Sequence, residues 1–140
     1  MASFNDSIIE TFRANDGVVG APFEGKTLVL LHHIGRRSGK EFVTPLVAAP
    51  AADAYVICGS LGGAPEDPQW VANLETGTGP ATIELGAATT AADYEVVRPG
   101  DPRWEETYGI WREYWPDARE YEKKTDRKFP VVRLKVAPSA

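Results

Sequence analysis

TLVLLHHIGRRSGKEFVTPLVAA, residues 27–49, joins two apolar runs through a basic loop that has a glycine on each side of its arginines. The first run, TLVLLHH, is short and apolar, which predicts a buried strand. TPLVAA predicts another strand, which we expect to form a hairpin with AYVICGS (residues 54–60) around residues 50–53. The basic loop, residues 35–40, is then expected to follow the end of a strand.

The rest of the chain adds strands and an N-terminal helix. Three more segments predict strands: ATIEL (81–85), TAADYEVVR (90–98) and FPVVRLKV (129–136). The first two are expected to form a hairpin that turns near residues 86–87. Near the start, Ile8, Ile9 and Phe12 share one face of a short amphipathic helix that ends at the turn signal NDG, residues 15–17. We expect this helix to act as a lid or brace.

Two further helices are predicted between the strands. The first is expected to have Asp67 as its N-cap and Pro68 at its first position, and to end at Gly77. The second repeats this arrangement with Asp101 and Pro102. Four aromatic residues recur on it at helical spacing, which is more often a core face than a cofactor site: Trp104, Tyr108, Trp111 and Trp115. Together the pattern predicts one α+β domain, residues 1–140, with a mostly antiparallel, barrel-like sheet and a few flanking helices.

The composition excludes several classes of protein. With 15 Lys and Arg against 20 Asp and Glu, the 140-residue chain has a net charge of −5, so it lacks the broad basic face of nucleic-acid or membrane-surface binders. Its single cysteine, Cys58, allows neither an internal disulfide nor a multi-thiolate metal site, and is typical of a reducing cytoplasm. No segment approaches the roughly 18 apolar residues of a membrane span. We expect an unprocessed cytoplasmic protein whose partner is a small molecule.

Familiar catalytic motifs do not fit this chain. The basic loop has three residues between its glycines where a nucleotide-binding P-loop has four, and Glu41 stands where that loop has Ser or Thr. CGSLG has Cys58 in place of the first glycine of a nucleophile elbow. His32 and His33 point to opposite faces of a strand, so a shared metal is not expected, and one should lie in the core and one outside. No GxGxxG motif supports a dinucleotide fold.

Two loops remain as candidate ligand sites. In the basic loop, backbone N–H groups and the guanidinium groups of Arg36 and Arg37 could bind phosphate or carboxylate, although a solvated hairpin tip has the same composition. In SLGGAPEDPQWVANL, residues 60–74, paired glycines allow a flat ligand to approach the backbone, and the helix behind them directs amides toward it. A plain strand-to-helix connection is the alternative there.

In sequence and in order, these segments resemble the deazaflavin-dependent nitroreductase family. The matching segments are NDG (15–17), LVLLHHIGRRSGK (28–40), TPL (44–46), GSLGGAP (59–65), PQWVANL (68–74) and TDRKFPVVRL (125–134). Members of that family use 8-hydroxy-5-deazaflavin, coenzyme F420, on a split β-barrel of the flavin-binding type. The resemblance therefore implies a split barrel, coenzyme F420 and no metal.

The family's coenzyme carries a phosphodiester and an oligoglutamate tail, which would give the basic loop a ligand. By position, the resemblance assigns Arg36, Arg37 and Ser38 to the phosphate and Lys40 to the glutamates. The cofactor-binding residues that it implies are Arg36, Arg37, Ser38, Gly39, Lys40, Phe42, Val43, Thr44, Pro45, Leu46, Val47, Cys58, Gly59, Ser60, Leu61, Gln69, Trp70, Val71, Ala72, Asn73 and Ala118.

Three positions depart from the family pattern. Leu61 stands where many members have lysine, and Phe42 where some have arginine. Ala118 replaces the middle tyrosine of an aromatic trio whose other positions are Trp115 and Tyr121. The loss of the middle tyrosine at Ala118 bears on the range of substrates, including nitro-imidazoles.

The resemblance implies a reductase that transfers a hydride from reduced coenzyme F420 to an activated alkene, a quinone or a nitro compound. Such a transfer needs stacked donor and acceptor rather than a nucleophile, which agrees with the lack of a catalytic motif. Ser60 and Tyr121 are the candidate catalytic residues, and Trp115 and Tyr121 should border the substrate. The alternatives are a non-catalytic carrier of coenzyme F420 or of a fatty anion, and an FMN-binding split-barrel oxidoreductase. A dimer is compatible with the sequence.

Overall fold

One antiparallel sheet of seven strands organises residues 4–20 and 23–136, which are the residues that the computed structural model describes. The strands are β1 (Leu28–Ile34), β2 (Glu41–Val47), β3 (Ala49–Ala51), β4 (Ala54–Cys58), β5 (Ala81–Leu85), β6 (Ala88–Val97) and β7 (Val131–Val136). Their spatial order is β2-β1-β5-β6-β7-β4-β3, and the sheet curls until β2 contacts β4. The predicted α+β class with a mostly antiparallel, barrel-like sheet is confirmed.

Strand β1 is buried on both faces, as its sequence predicts. Val29 and Leu31 pack in the larger hydrophobic cluster inside the curled sheet. Leu28 and Leu30, which point to the opposite face, pack against the N-terminal helix. A strand that is covered on both sides has no solvated face, which is why its sequence is a continuous apolar run and does not alternate.

The predicted hairpin between TPLVAA and AYVICGS is wrong in its first strand. Residues 44–47 belong to β2, which pairs with β1 along its whole length. Only the three residues of β3 pair with β4, with Ala51 opposite Ala54. The reason is that the basic loop joins two seven-residue strands, which form a longer ladder than β3 offers. The predicted hairpin of β5 and β6 and the last strand, β7, are confirmed.

Four α-helices lie within the described residues: α1 (Phe4–Ala14), α2 (Gln69–Thr76), α3 (Trp104–Tyr114) and α4 (Ala118–Glu122). Helix α1 was predicted, and it buries Ile8 and Phe12 against β1. It ends at the predicted turn, where the Gly17 N–H donates to the Phe12 carbonyl oxygen at 2.9 Å. A Cβ atom on Gly17 would lie 2.9 Å from the Cα of Gly86, so the end of α1 packs directly on the turn between β5 and β6.

Both predicted helix starts need correction. Helix α2 begins at Gln69 with Pro68 as its extended N-cap, because the Asp67 carboxylate accepts hydrogen bonds from two distant arginines instead of a helix N–H. Helix α3 begins two residues after Pro102, although Asp101 still accepts the backbone N–H of Arg103 at 2.8 Å. Helix α4 was not predicted.

The aromatic stripe on α3 is a core face, as expected. Its four residues are buried in a second hydrophobic cluster with Phe129 and Val131, and the rings of Trp104 and Tyr108 stack 4.9 Å apart. None of the helices in the described part of the chain has the length and apolar content that crossing a membrane requires.

Candidate active site

The basic loop forms a tight hairpin tip between β1 and β2, which we call the basic tip (residues 35–40). Two backbone hydrogen bonds of 2.8 Å close it, from Gly35 N–H to the Lys40 carbonyl and from Gly39 N–H to the Gly35 carbonyl. Within residues 4–20 and 23–136, neither the Arg37 guanidinium nor the Lys40 ammonium group has an ion-pair partner. On a protein with a net charge of −5, the tip therefore presents uncommitted positive charge.

Arg36 is held differently, because its side chain turns back onto α2. Its backbone N–H and its guanidinium both donate to Asn73 Oδ1, at 3.2 and 2.9 Å. A second guanidinium nitrogen donates to Gln69 Oε1 at 2.7 Å. Since a guanidinium has five N–H donors, donors remain for an anion, and the direction in which they point is fixed by the helix.

A chain of side-chain hydrogen bonds continues from Asn73 into the sheet. Asn73 Nδ2 lies 2.9 Å from Nδ1 of His33, and His33 Nε2 lies 2.9 Å from Oγ1 of Thr44. Burial, and then the neighbouring charge of His32, lowers the pKa of His33, so the ring is neutral at neutral pH. As predicted, one histidine is in the core: His33 is 8% exposed, whereas His32 lies on the other face.

A cleft of about 200 Å³ lies beside the basic tip, and we call it the charged cleft. Its lining consists of Gly35, Arg36, Arg37, Ser38, Phe42, Gln69 and Asn73. Phe42 is 46% exposed and provides an apolar surface next to the arginines. Gly35 is required by close approach, because a Cβ atom there would lie 2.6 Å from Ser38 Oγ and 2.9 Å from the ring of Phe42.

The loop at residues 59–64 is held by one arginine, Arg127. Its guanidinium donates to the carbonyl oxygens of Gly59, Ser60 and Ala64 at 3.1, 2.8 and 3.0 Å, and to Asp67 Oδ1 at 2.5 Å. The carbonyls of Gly59 and Ala64 have no other partner among the described residues, whereas that of Ser60 also accepts the Gly63 N–H at 2.9 Å. Arg127 lies in the matching segment 125–134 but had no predicted role, because nothing local indicates partners that lie 60 to 68 residues away.

The same loop packs against α4, and at Gly63 this contact leaves no room for a side chain. Gly63 has a φ angle of +89°, and a Cβ atom there would lie 2.7 Å from the carbonyl oxygen of Tyr121. Its neighbour Leu61 also has a positive φ angle, 46°, and is 56% exposed. The loop therefore combines a strained, exposed apolar side chain with a fixed contact to the helix that carries Tyr121.

A second cleft, of about 120 Å³, has an aromatic wall, and we call it the aromatic cleft. It is lined by Phe23, Pro45, Leu46, Val47, Cys58, Ser60, Trp111, Trp115 and Tyr121. Trp115 stacks on Phe23 with 5.5 Å between ring centroids, and its Nε1–H donates to the Tyr121 hydroxyl at 3.2 Å. Ser60 is only 7% exposed, yet its hydroxyl has no hydrogen-bond partner among the described residues. Phe23 and Trp111 were not predicted here.

The predicted site residues divide into three groups. The charged cleft contains Arg36, Arg37, Ser38, Phe42, Gln69 and Asn73, and the aromatic cleft contains residues 45–47, Cys58, Ser60, Trp115 and Tyr121. Seven further predicted positions line neither cleft: Gly39, Lys40, Val43, Thr44, Gly59, Leu61 and Ala72. Trp70, Val71 and Ala118 are buried in the core and line neither cleft. Within the described residues, no group of three or more His, Cys, Asp or Glu side chains could hold a metal ion.

Comparison with known proteins adds a family and relatives. A family model described as F420H(2)-dependent quinone reductase matches residues 7–135. An F420H(2)-dependent quinone reductase of Mycobacterium tuberculosis is 30% identical over 125 residues, which cover 88% of this chain and 83% of that protein. A putative F420H(2)-dependent quinone reductase of Mycobacterium bovis matches with the same identity and coverage.

Solved structures share the fold. An F420-H2 dependent reductase superposes with a TM-score of 0.65 at 26% identity, over 77% of this chain and 93% of that chain. A second structure, a domain-swapped dimer, superposes with a TM-score of 0.67 at 22% identity, over 91% and 92% of the two chains. The second similarity concerns the fold alone.

Proposed function

The chain belongs to the family of F420H(2)-dependent quinone reductases, and from this premise we propose that it transfers a hydride from reduced coenzyme F420 to a quinone. It is an oxidoreductase whose cofactor is coenzyme F420. One observation supports the proposed site: Phe42 in the charged cleft and Leu46 in the aromatic cleft are four residues apart on β2. They share a face, and the rise of a strand separates them by about 13 Å. An elongated ligand with one anionic end fits this arrangement.

The residues of the charged cleft fit the anionic part of the cofactor. Arg37 and Lys40 carry charge that no described protein group neutralises, and Arg36 has donors left after binding Asn73 and Gln69. We assign Arg36, Arg37 and the Ser38 hydroxyl to the phosphodiester, because guanidinium groups bind phosphate through paired, charge-assisted hydrogen bonds. Lys40 would then bind the glutamate carboxylates further out.

The aromatic cleft fits the ring and the acceptor. When bound, the reduced deazaflavin supplies the hydride, so the protein has to stack the acceptor on it and exclude water. Trp115 and Tyr121 provide the apolar wall for a flat quinone. Since the Tyr121 hydroxyl accepts the hydrogen bond from Trp115, its own hydrogen stays free to donate to a quinone oxygen. The unpaired hydroxyl of Ser60 is the second candidate donor.

Several other predictions about the molecule stand as proposals. We propose a single reductase domain over residues 1–140, of which residues 1–3, 21–22 and 137–140 lie outside the described part. A cytoplasmic location and a dimer also stay predictions; a similar chain was solved as a domain-swapped dimer. Activated alkenes and nitro compounds remain predicted acceptors beside quinones.

The deciding experiment measures oxidation of reduced coenzyme F420 by menadione, followed by the rise of the deazaflavin absorbance. We expect turnover with coenzyme F420 and none when reduced FMN or NADPH replaces it. An unsaturated lactone and a nitro-imidazole, assayed in the same way, test the other acceptor classes. Tight binding of the coenzyme without turnover of any acceptor would favour the carrier, and turnover supported by co-purified FMN would favour the flavin alternative.

Ser60→Ala tests the assignment of the aromatic cleft. If the hydroxyl donates a proton or a hydrogen bond during the reaction, turnover should fall by about 10² to 10⁴ while coenzyme affinity stays nearly constant. Tyr121→Phe, which keeps the aromatic wall, separates loss of the hydroxyl from loss of the ring. Unchanged turnover in both variants would mean that solvent supplies the proton.

A further inference from the structure

We propose that His33, the one of the two adjacent histidines that lies in the core, is a positioning residue that links the two clefts. It holds Asn73 and thereby Arg36 on one side, and it directs the hydroxyl of Thr44 toward the ligand on the other. This inference rests on the proposed function, because its ligand is the coenzyme that spans both clefts. His33 touches neither the anion nor the ring itself.

The hydrogen-bond chemistry leaves one arrangement of protons. Arg36 is only a donor, so the oxygen of the Asn73 amide must face it and the amide nitrogen must face His33. His33 Nδ1 is then an acceptor, which places the ring proton on Nε2, where it donates to Thr44 Oγ1. The direction of every bond in this chain follows from the permanent positive charge of Arg36.

A consequence falls on Thr44. Because its oxygen accepts the proton of His33, its own O–H hydrogen must point elsewhere, and no described residue accepts it. Thr44 lies on β2 between Phe42, which lines the charged cleft, and Leu46, which lines the aromatic cleft, and its side chain is on the same face as theirs. A ligand that passes from one cleft to the other meets this free donor.

The ring of His33 has little freedom to adopt another arrangement. It is buried, and Phe42 stacks on it with 5.7 Å between centroids. The other tautomer would place two donors face to face at Asn73, and a ring rotated by 180° would present carbon atoms to both Asn73 and Thr44. The lowered pKa of His33 agrees with this, since a second ring proton would have the same effect.

Two substitutions separate the two ends of the link. The side-chain nitrogen of glutamine can occupy the place of histidine Nε2, so His33→Gln keeps a donor to Thr44 and loses the acceptor for Asn73. The side-chain oxygen of asparagine can occupy the place of Nδ1, so His33→Asn keeps the acceptor for Asn73 and loses the donor to Thr44. The matched controls are His32→Gln and His32→Asn on the opposite face, where His32 contacts Glu84.

The measurement is the affinity of each variant for two probes, the whole coenzyme F420 and its ring with the ribityl chain but no phosphodiester. His33→Gln should weaken binding of the whole coenzyme about tenfold and leave the truncated probe unchanged, as expected for one hydrogen bond at a charged group. His33→Asn should weaken both probes by a similar factor. Thr44→Val, which only removes the hydroxyl, should reproduce the second pattern.

The outcomes distinguish this inference from the proposed function. If the wild-type protein binds neither probe, the proposed function fails. If it binds both, and His33→Gln weakens the binding of the two probes equally or neither His33 variant changes either affinity, the link is overturned while the function stands. Thermal unfolding of each variant shows whether a parallel loss comes from a damaged fold, and Thr44→Val then decides, because it leaves His33 in place.

Discussion

The basic tip and the loop at residues 59–64 border the two clefts, and their charged groups are used in opposite ways. At the tip, Arg37 and Lys40 are exposed and have no partner among the described residues. Beside the other loop, the Arg127 side chain is only 15% exposed, and its guanidinium donates to three backbone carbonyls and a carboxylate. A cation that is already paired stabilises the protein, whereas an unpaired one is available to a ligand.

Substitution of the paired arginine should therefore affect stability, and substitution of the unpaired cations should affect binding. Removing charge from the tip leaves no buried group unsatisfied, so the fold should tolerate it. Removing Arg127 leaves the carbonyls of Gly59 and Ala64 without a described donor next to the aromatic cleft, so the fold and the chemistry should fail together. Each prediction below alters one side of this comparison.

The largest expected effect is that of Arg127→Ala. Loss of a partly buried guanidinium with four acceptors should lower the free energy of unfolding by about 3 to 4 kcal/mol, since each hydrogen bond to a charged group contributes roughly 1.5 to 3 and the site keeps some access to water. Urea unfolding measures this. Arg133→Ala on β7 is the matched control, because the Arg133 side chain has no hydrogen bond or ion pair within residues 4–20 and 23–136. Equal stability of the two variants would contradict the role of Arg127.

Next in size is the effect of the double substitution Arg36→Ala/Arg37→Ala on coenzyme binding. Two charge-assisted contacts should be lost, which weakens binding of coenzyme F420 by roughly 3 kcal/mol while the free energy of unfolding changes by about 1 kcal/mol or less. A fluorescence titration measures the affinity. The control Arg133→Ala/Lys135→Ala removes the same charge from β7. A solvated tip without a ligand would leave the affinity of both variants unchanged.

A smaller effect distinguishes two neighbouring glycines in the other loop. Gly62→Ala and Gly63→Ala place a side chain at similar positive φ angles, 64° and 89°, but only at Gly63 does the new Cβ atom meet Tyr121. Gly63→Ala should therefore destabilise the protein by about 2 kcal/mol more than Gly62→Ala, the typical size of an overpacking penalty. Thermal unfolding compares the pair, and equal melting temperatures would mean that the contact with α4 relaxes freely.

The smallest expected effect is a pH dependence of stability that comes from His33. Its pKa in the folded protein lies below the ordinary value of 6.5, because of burial first and of His32 second. Between these two values the unfolded chain binds a proton that the folded protein does not, so the free energy of unfolding falls as the pH falls below about 6.5. Asn73 and Thr44 contact the ring, and Asn73 connects it to the guanidinium of Arg36.

His33→Gln isolates this contribution, because every other titrating group remains. Urea unfolding at about pH 7.5 and pH 5.5 should show a larger loss of stability in the wild-type protein than in the variant. The sign matters: a larger loss in the variant would mean that His33 is protonated in the folded state and that its pKa is raised.

The fold could be predicted from the sequence wherever a local pattern decides the structure. The apolar run of β1 and the amphipathic face of α1 are such cases, because burial of a strand or helix face is written in its own residues. The prediction of Asp67 as an N-cap is wrong for a non-local reason: its carboxylate accepts hydrogen bonds from Arg98 and Arg127, which lie 31 and 60 residues away. Capping rules describe a helix in isolation and cannot foresee such partners.

In the candidate site, too, the local features could be predicted and the non-local contacts could not. Arg36 and Asn73 were both named from the resemblance, but their contact across 37 residues, and the link through His33, appear only in the folded chain. Phe23 and Trp111 were missed in the aromatic cleft because an aromatic residue in a core pattern carries no sign that one of its edges is open.

Cys58 is the only cysteine of the chain, and it borders the aromatic cleft. Quinones are electrophiles that form covalent adducts with thiolates, and the neutral thiol reacts far more slowly. Burial raises the pKa of the Cys58 thiol well above its usual value, so the sulfur stays protonated at neutral pH. The protein therefore keeps its sole nucleophilic sulfur inert beside the place where its proposed substrates would bind, which protects it from arylation by the molecules that it reduces.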